Sequence, residues 1–169
     1  NFNALQAAAA VTSPVTYCQN AVAIPLTATG TNLLWYPAAV GGVGSATAPT
    51  PSTATAGSTI YYVSQTVSTC EGPRAAITVN ITATPAAPTG TSPVTYCQNA
   101  GAGPLTATGT KLRWYTTASG GVGSATAPTP STAAAGSTTY YVSQTTGVCE
   151  GPRAAITVNM TALPAAPTV

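Results

Sequence analysis

Ala75-Ala76-Ile77-Thr78-Val79-Asn80-Ile81-Thr82-Ala83 decides the fold. Its apolar residues Ile77, Val79 and Ile81 alternate with Thr78, Asn80 and Thr82. A period of two places one set on each face of an extended chain, so the segment reads as a strand with one buried face. The same pattern returns 79 residues later, with Ile156, Val158 and Met160 as the inward set.

Working outward from this strand, the whole of residues 11–89 recurs as residues 90–168 without a gap, and 15 of the 79 positions differ. Thr16-Tyr17-Cys18-Gln19-Asn20 becomes Thr95-Tyr96-Cys97-Gln98-Asn99, and Cys70-Glu71-Gly72-Pro73-Arg74 becomes Cys149-Glu150-Gly151-Pro152-Arg153. Such self-similarity marks a tandem array. The reading is of two domains, 11–89 and 90–168, preceded by residues 1–10 (NFNALQAAAA), which match no part of the repeat and read as a leader or the tail of another domain. Val169 falls in the register of the first residue of a unit, so a further repeat is expected beyond it.

The differing positions orient the other strands. Leu34 is replaced by Arg113 while Leu33 and Trp35 keep their counterparts Leu112 and Trp114, so position 34 faces solvent and Leu33 and Trp35 face the core. Ile60 is replaced by Thr139, which turns Tyr61 and Val63 inward. Pro25–Thr29 supplies Leu26 and Ala28 to the core before a turn at Gly30. Thr55–Thr59 reads as a tight turn, and Tyr61 after it suggests a tyrosine corner. Gly41-Gly42-Val43-Gly44 and Pro49-Thr50-Pro51 carry turn and edge-strand chemistry. About seven short strands per unit and no amphipathic helix predict an all-β chain of two tandem immunoglobulin-like sandwiches; a small barrel is the alternative.

Four cysteines allow three pairings. Cys18 to Cys70 and Cys97 to Cys149 span the same 52 residues, so the expected arrangement is one disulfide inside each unit. The rival is Cys70 with Cys97, across the repeat boundary. Either implies an oxidising, extracellular compartment.

The composition narrows the function. There are four basic and two acidic side chains and no His. Asp is also absent. Nucleic-acid binding, which needs clustered Lys and Arg, is therefore not expected. No apolar run approaches the length needed to span a bilayer, so no membrane insertion is expected either. Acid–base catalysis needs His, paired carboxylates or a perturbed Lys. Each unit has one carboxylate, Glu71 or Glu150, so the chain reads as no enzyme, with no cofactor. A junctional Ca²⁺ or other metal site lacks the necessary carboxylates. The stretch from Pro85 to Pro93 instead reads as a Pro-stiffened linker.

Glu71 and Arg74 read as a local ion pair in a β-turn. Tyr36, Tyr62, Tyr115 and Tyr141 lie on the face opposite Trp35 and Tyr61 and are candidates for stacking on a sugar. Asn80-Ile81-Thr82 and Asn159-Met160-Thr161 fit the glycosylation sequon inside strands.

The order Tyr-Cys-Gln, Leu-Thr-Ala-x-Gly, Trp-Tyr, Gly-Gly, Pro-Thr-Pro-Ser-Thr, Gly-Ser-Thr-x-Tyr-Tyr-Val-Ser-Gln-Thr and Cys-Glu-x-x-Arg, over residues 11–168, resembles one known group. It is the Ig-like repeats of very large surface proteins of gliding and polymer-degrading Bacteroidetes, SprB-type gliding adhesins included. The resemblance implies type IX secretion and display at the cell surface, outer-membrane-anchored or secreted. It implies a stalk or filament for adhesion or gliding motility, with neighbouring repeats, lateral self-association and a surface polysaccharide as partners. Spacer or carbohydrate-binding use within a secreted polysaccharide-acting protein is the alternative.

Overall fold

The computed structural model describes residues 6–165, and the chain divides into two units, Asn1–Ala83 and Thr84–Val169. Every regular element among the described residues is a strand.

The first unit holds β1 (Ala10–Val11), β2 (Val15–Cys18), β3 (Ala28–Thr29), β4 (Leu34–Tyr36), β5 (Gly57–Ser64), β6 (Thr66–Val67), β7 (Cys70–Glu71) and β8 (Ala75–Thr82). Its main sheet runs β2-β8-β5-β4, with β2 parallel to β8 and the other pairs antiparallel. β1 pairs with β3, and β6 with β7. The decisive alternation holds: Ile77, Val79 and Ile81 are 0, 1 and 8% exposed. They meet Val63 and Trp35 from the same sheet and Ala9 and Leu26 from the facing layer, with Tyr61, Leu33 and Ala28 packed around them. That facing layer is largely irregular chain, tied by Leu26 N–H donating to the Pro49 carbonyl at 2.9 Å. Ile60, on the opposite phase, is exposed.

The second unit repeats this with β9 (Val94–Cys97), β10 (Arg113–Tyr115), β11 (Gly136–Ser143), β12 (Thr145–Thr146), β13 (Cys149–Glu150) and β14 (Ala154–Thr161). Its core is Leu105, Trp114, Val142, Ile156 and Val158.

Five expectations are corrected. Residues 6–10 are not a leader. Ala9 is buried in the core, Ala10 pairs with Thr29, and Gln65 Nε2 donates to the Ala7 and Ala8 carbonyls at 3.0 and 3.3 Å. In the second unit Gln144 Nε2 reaches the Ala86 carbonyl at 2.9 Å, and Thr89 bridges to Thr108. Residues 85–89 therefore open that unit, held by Gln144 and the Thr89–Thr108 bridge, and are not a linker. Residues 1–5 of the expected leader lie outside the described residues.

Tyr61 sits in the middle of β5, opposite Ile77, rather than at a corner. The turn expected over Thr55–Thr59 ends early, since β5 begins at Gly57.

The disulfides are not one per unit. Cys18 and Cys149 are each in a disulfide, whereas Cys97 carries a thiol. With Cys97 a thiol, the expected Cys97–Cys149 bond is not formed, and the Cys70–Cys97 rival also falls. The reason is strand direction. Parallel pairing puts Cys18 beside Thr82, at the far end of β8, while Cys70 precedes the near end at Ala75. Seven strand steps at about 3.3 Å separate those ends by ~23 Å, against the roughly 4.4–6.8 Å a disulfide spans between Cα atoms. Cys97 beside Thr161 and Cys149 before Ala154 are separated in the same way.

Candidate functional site

The only charged side chains of the first unit, Glu71 and Arg74, converge on Tyr36. Sheet register explains how. β4 pairs Trp35 with Val63 and Leu34 with Ser64, so Trp35 and Val63 face the core while Tyr36 and Ser64 face the other way. There the β6–β7 hairpin brings Glu71 over the sheet, paired with Thr66.

Tyr36 Oη donates to Glu71 Oε1 at 2.6 Å, and Ser64 Oγ donates to the same oxygen at 2.6 Å. Arg74 lies flat on the tyrosine, its Cζ 3.3 Å from the ring centroid, and donates from Nη1 to the Ala38 carbonyl at 2.7 Å. The second unit rebuilds the cluster: Tyr115 and Ser143 both donate to Glu150 Oε1 at 2.5 Å. Arg153 sits 3.2 Å from the Tyr115 centroid and holds the Thr117 and Gly120 carbonyls at 2.7 and 2.9 Å.

These contacts hold both carboxyls below the usual carboxylate range. The serine hydroxyl is the main cause and the tyrosine hydroxyl the next; desolvation opposes them, and the arginine's charge adds a smaller lowering. The expected local Glu–Arg pair is thus replaced by a tyrosine between the two: the carboxylate takes its hydroxyl and the guanidinium its face. A carboxylate so stabilised is a weak base, and Ser64 and Ser143 are fully buried, so neither serine is reachable as a nucleophile.

Two glycines close the cluster. A Cβ on Gly44 would stand 2.6 Å from Tyr36 Oη, and one on Gly123 2.5 Å from Tyr115 Oη. The glycine-rich loop therefore lies directly on the tyrosine. Tyr36 and Tyr115 are 5 and 7% exposed, which removes both from the candidate stacking row. Tyr62 and Tyr141 are half-buried, opposite Tyr36 and Tyr115 in the sheet register. The alternation gave the correct face but not the arginine that covers it. The signal that could have found it is the spacing of Tyr36, Glu71 and Arg74, kept in the second unit while neighbouring Pro37 and Ala38 change.

Each unit also has an open cleft beside its tryptophan. In the first, about 220 Å³ is lined by Trp35, Tyr36, Pro37, Pro49 and Tyr61. In the second, about 370 Å³ is lined by Trp114, Tyr115, Val122, Pro128 and Tyr140. Among the described residues no group of three or more His, Cys, Asp or Glu could hold a metal. No helix among them is long and apolar enough to cross a membrane.

A two-layer all-β unit with a buried tryptophan, repeated in tandem, defines an immunoglobulin-like repeat protein. The chain belongs to the family described as "Ig-like domain CHU_C associated", whose model matches residues 6–82 and 85–161. The two matches begin 79 residues apart and include the segments 6–10 and 85–89. No curated protein matches the chain.

Proposed function

We propose that the chain is a non-catalytic segment of a long extracellular surface protein, in which tandem Ig-like units form a stalk or filament serving adhesion or gliding motility. Family membership supports a structural or spacer module. The observation that carries the reading further is the use of charge: Glu71 and Arg74, the whole ionic complement of the first unit, are both engaged with Tyr36. In the first unit nothing ionic is left to build a reactive centre, the second adds only Lys111 and Arg113, and the Thr- and Ala-rich surface offers little repulsion to neighbouring copies. Export by the type IX route follows from the resemblance to gliding adhesins, and the disulfide fits an oxidising compartment. Surface labelling of intact cells with a membrane-impermeant reagent, followed by imaging of the purified native protein, tests this. Extended or laterally packed rods from the labelled fraction are expected; compact particles, or protein protected from the label, would overturn it.

The clefts beside Trp35 and Trp114 favour a second reading, a carbohydrate-binding module within a polysaccharide-acting protein. Repetition then supplies avidity. Glycan-array binding that is lost on Tyr61→Ala with Tyr140→Ala is its expected signature, and an array without signal removes it.

A further inference from the structure

The 15 exchanges between the two repeats are not spread evenly. Eight fall at positions 32, 34, 37, 38, 40 and 67, 68, 69 and their counterparts. Exposure alone does not account for this. Residues 41–54 are mostly exposed, with Val43 at 93% and its counterpart Val122 at 97%, yet the whole segment recurs unchanged as 120–133. The two variable segments are far apart in the chain but neighbours within each unit. Thr66 N–H donates to the Thr31 carbonyl at 2.9 Å, and Thr145 N–H to the Thr110 carbonyl at 3.1 Å. In the second unit they meet in one open cleft of about 470 Å³, whose lining includes Arg113, Tyr115, Val122, Thr145, Val148 and Glu150.

The exchanges at this surface have a direction. Asn32 and Leu34 become Lys111 and Arg113, two cations with no acid added. Asn32 suits its left-handed backbone, at φ 46°, and its Nδ2 donates to the Thr66 carbonyl at 3.4 Å. Lys111 keeps that conformation, at φ 48°, which residues other than Gly, Asn and Asp seldom adopt. Lysine therefore stands there against the local backbone preference. Arg113 is exposed, and its Nη1 donates to the Gly123 carbonyl only at 3.5 Å, which leaves most of its five-donor fork for a ligand. Glu150 shares the cleft, but its Oε1 is taken by Tyr115 and Ser143, and Arg153 on the tyrosine ring offsets its charge. Val122 and Val148, 97 and 84% exposed, set apolar surface beside the arginine. That surface rewards an apolar side chain and penalises a sugar hydroxyl, which would lose water without gaining a partner.

We propose that this surface is where each unit selects its ligand, and that in the second unit it takes an acidic peptide segment of a partner protein. A carboxylate of that segment lies on the Arg113 guanidinium, and a neighbouring apolar side chain lies on Val122 and Val148. The first unit has Leu34 in place of the arginine and Thr69 in place of Val148, so it does not select for acid. One scaffold thereby carries two specificities through a few exchanges at its rim. The inference goes beyond the stalk reading and holds whether or not the array is a rod.

The test titrates the whole isotope-labelled chain with the capped peptide Leu-Glu-Val-Glu-Leu and follows it by NMR. Saturable shifts are expected at Arg113, Val122, Thr145 and Val148, and not at their counterparts Leu34, Val43, Thr66 and Thr69. Affinity is expected to fall by about tenfold in Arg113→Leu, the residue the first unit already carries there, as for loss of a charge-assisted hydrogen bond. The peptide Leu-Gln-Val-Gln-Leu should bind more weakly to the same extent. Absence of any saturable shift, equal binding of the glutamine peptide, or binding that survives Arg113→Leu overturns the proposal. Polygalacturonate shifting these residues where the acidic peptide does not overturns it in favour of an acidic polysaccharide.

Discussion

Tyr36 donates its hydroxyl to Glu71 across 35 residues of chain, at 2.6 Å, and the arginine three residues beyond that glutamate covers the same ring. A single tyrosine thereby fastens the β6–β7 hairpin to β4, and Tyr115 does the same in the second unit.

Removing either hydroxyl tests the fastening. Tyr36→Phe keeps the ring and its arginine but takes one hydrogen bond from an ionised acceptor, and Ser64→Ala takes the other. Each is expected to lower stability by about 1.5–3 kcal/mol, the range for hydrogen bonds to charged groups, read by chemical denaturation of the whole chain. Tyr62→Phe, for which no comparable partner exists on the carboxylate, is expected to change it far less.

The same hydrogen bonds make stability depend on acid. Both glutamates titrate lower in the folded chain than the ordinary value of 4.5. Their contribution is therefore full above pH ~4.5 and is lost as pH falls through the lowered folded values. Denaturation midpoints are expected to hold from neutral pH to about 5 and to fall below it. Glu71→Gln with Glu150→Gln should be less stable at neutral pH and show a flatter acid limb. An unchanged acid limb in the double variant refutes the assignment.

Core and surface residues of one sheet should separate cleanly. Ile77 is fully buried and Ile60 is 45% exposed, although the two lie in adjacent strands and Ile60 is in register with Thr78. Ile77→Ala is expected to cost about 2–5 kcal/mol, and Ile60→Thr, the exchange the second unit already contains, within about 0.5 kcal/mol. Thermal or denaturant melts of the two variants decide it.

Gly44→Ala probes the loop that seals the tyrosine. The new methyl would collide with Tyr36 Oη, so either the loop or the ring must move. A loss of about 1–3 kcal/mol, typical of overpacking, is expected, together with faster reaction of the Tyr36 ring with tetranitromethane. Ala at Gly101, which meets open space, is the control.

Much of this fold could be read from residues alone. The alternation through Ile77, Val79 and Ile81, and the exchanges Leu34/Arg113 and Ile60/Thr139, located the core face because burial tolerates neither arginine nor a lone hydroxyl. The cysteine pairing could not be read in this way. Equal spacing of 52 residues says nothing about whether β2 runs with or against β8, and that direction alone decides which cysteines can meet. The opening segment was hidden for another reason. Residues 6–10 share only Ala7 and Ala8 with residues 85–89, because the segment is held by its backbone carbonyls through Gln65 and Gln144 and so places little demand on side-chain identity. The site was legible as a set of residues but not as an arrangement, since a Glu and an Arg three apart suggest each other before a distant tyrosine.

The parallel pairing of β2 with β8 has a mechanical meaning. The strand near the start of the unit and the strand that ends it point the same way, locked over Val15–Val79 to Cys18–Thr82, and β9 with β14 repeats the arrangement. Tension applied through the two ends of a unit slides these strands past one another instead of peeling them apart. The hydrogen bonds between them must then yield together, so a nearly uncharged domain can resist pulling better than its modest core alone would suggest.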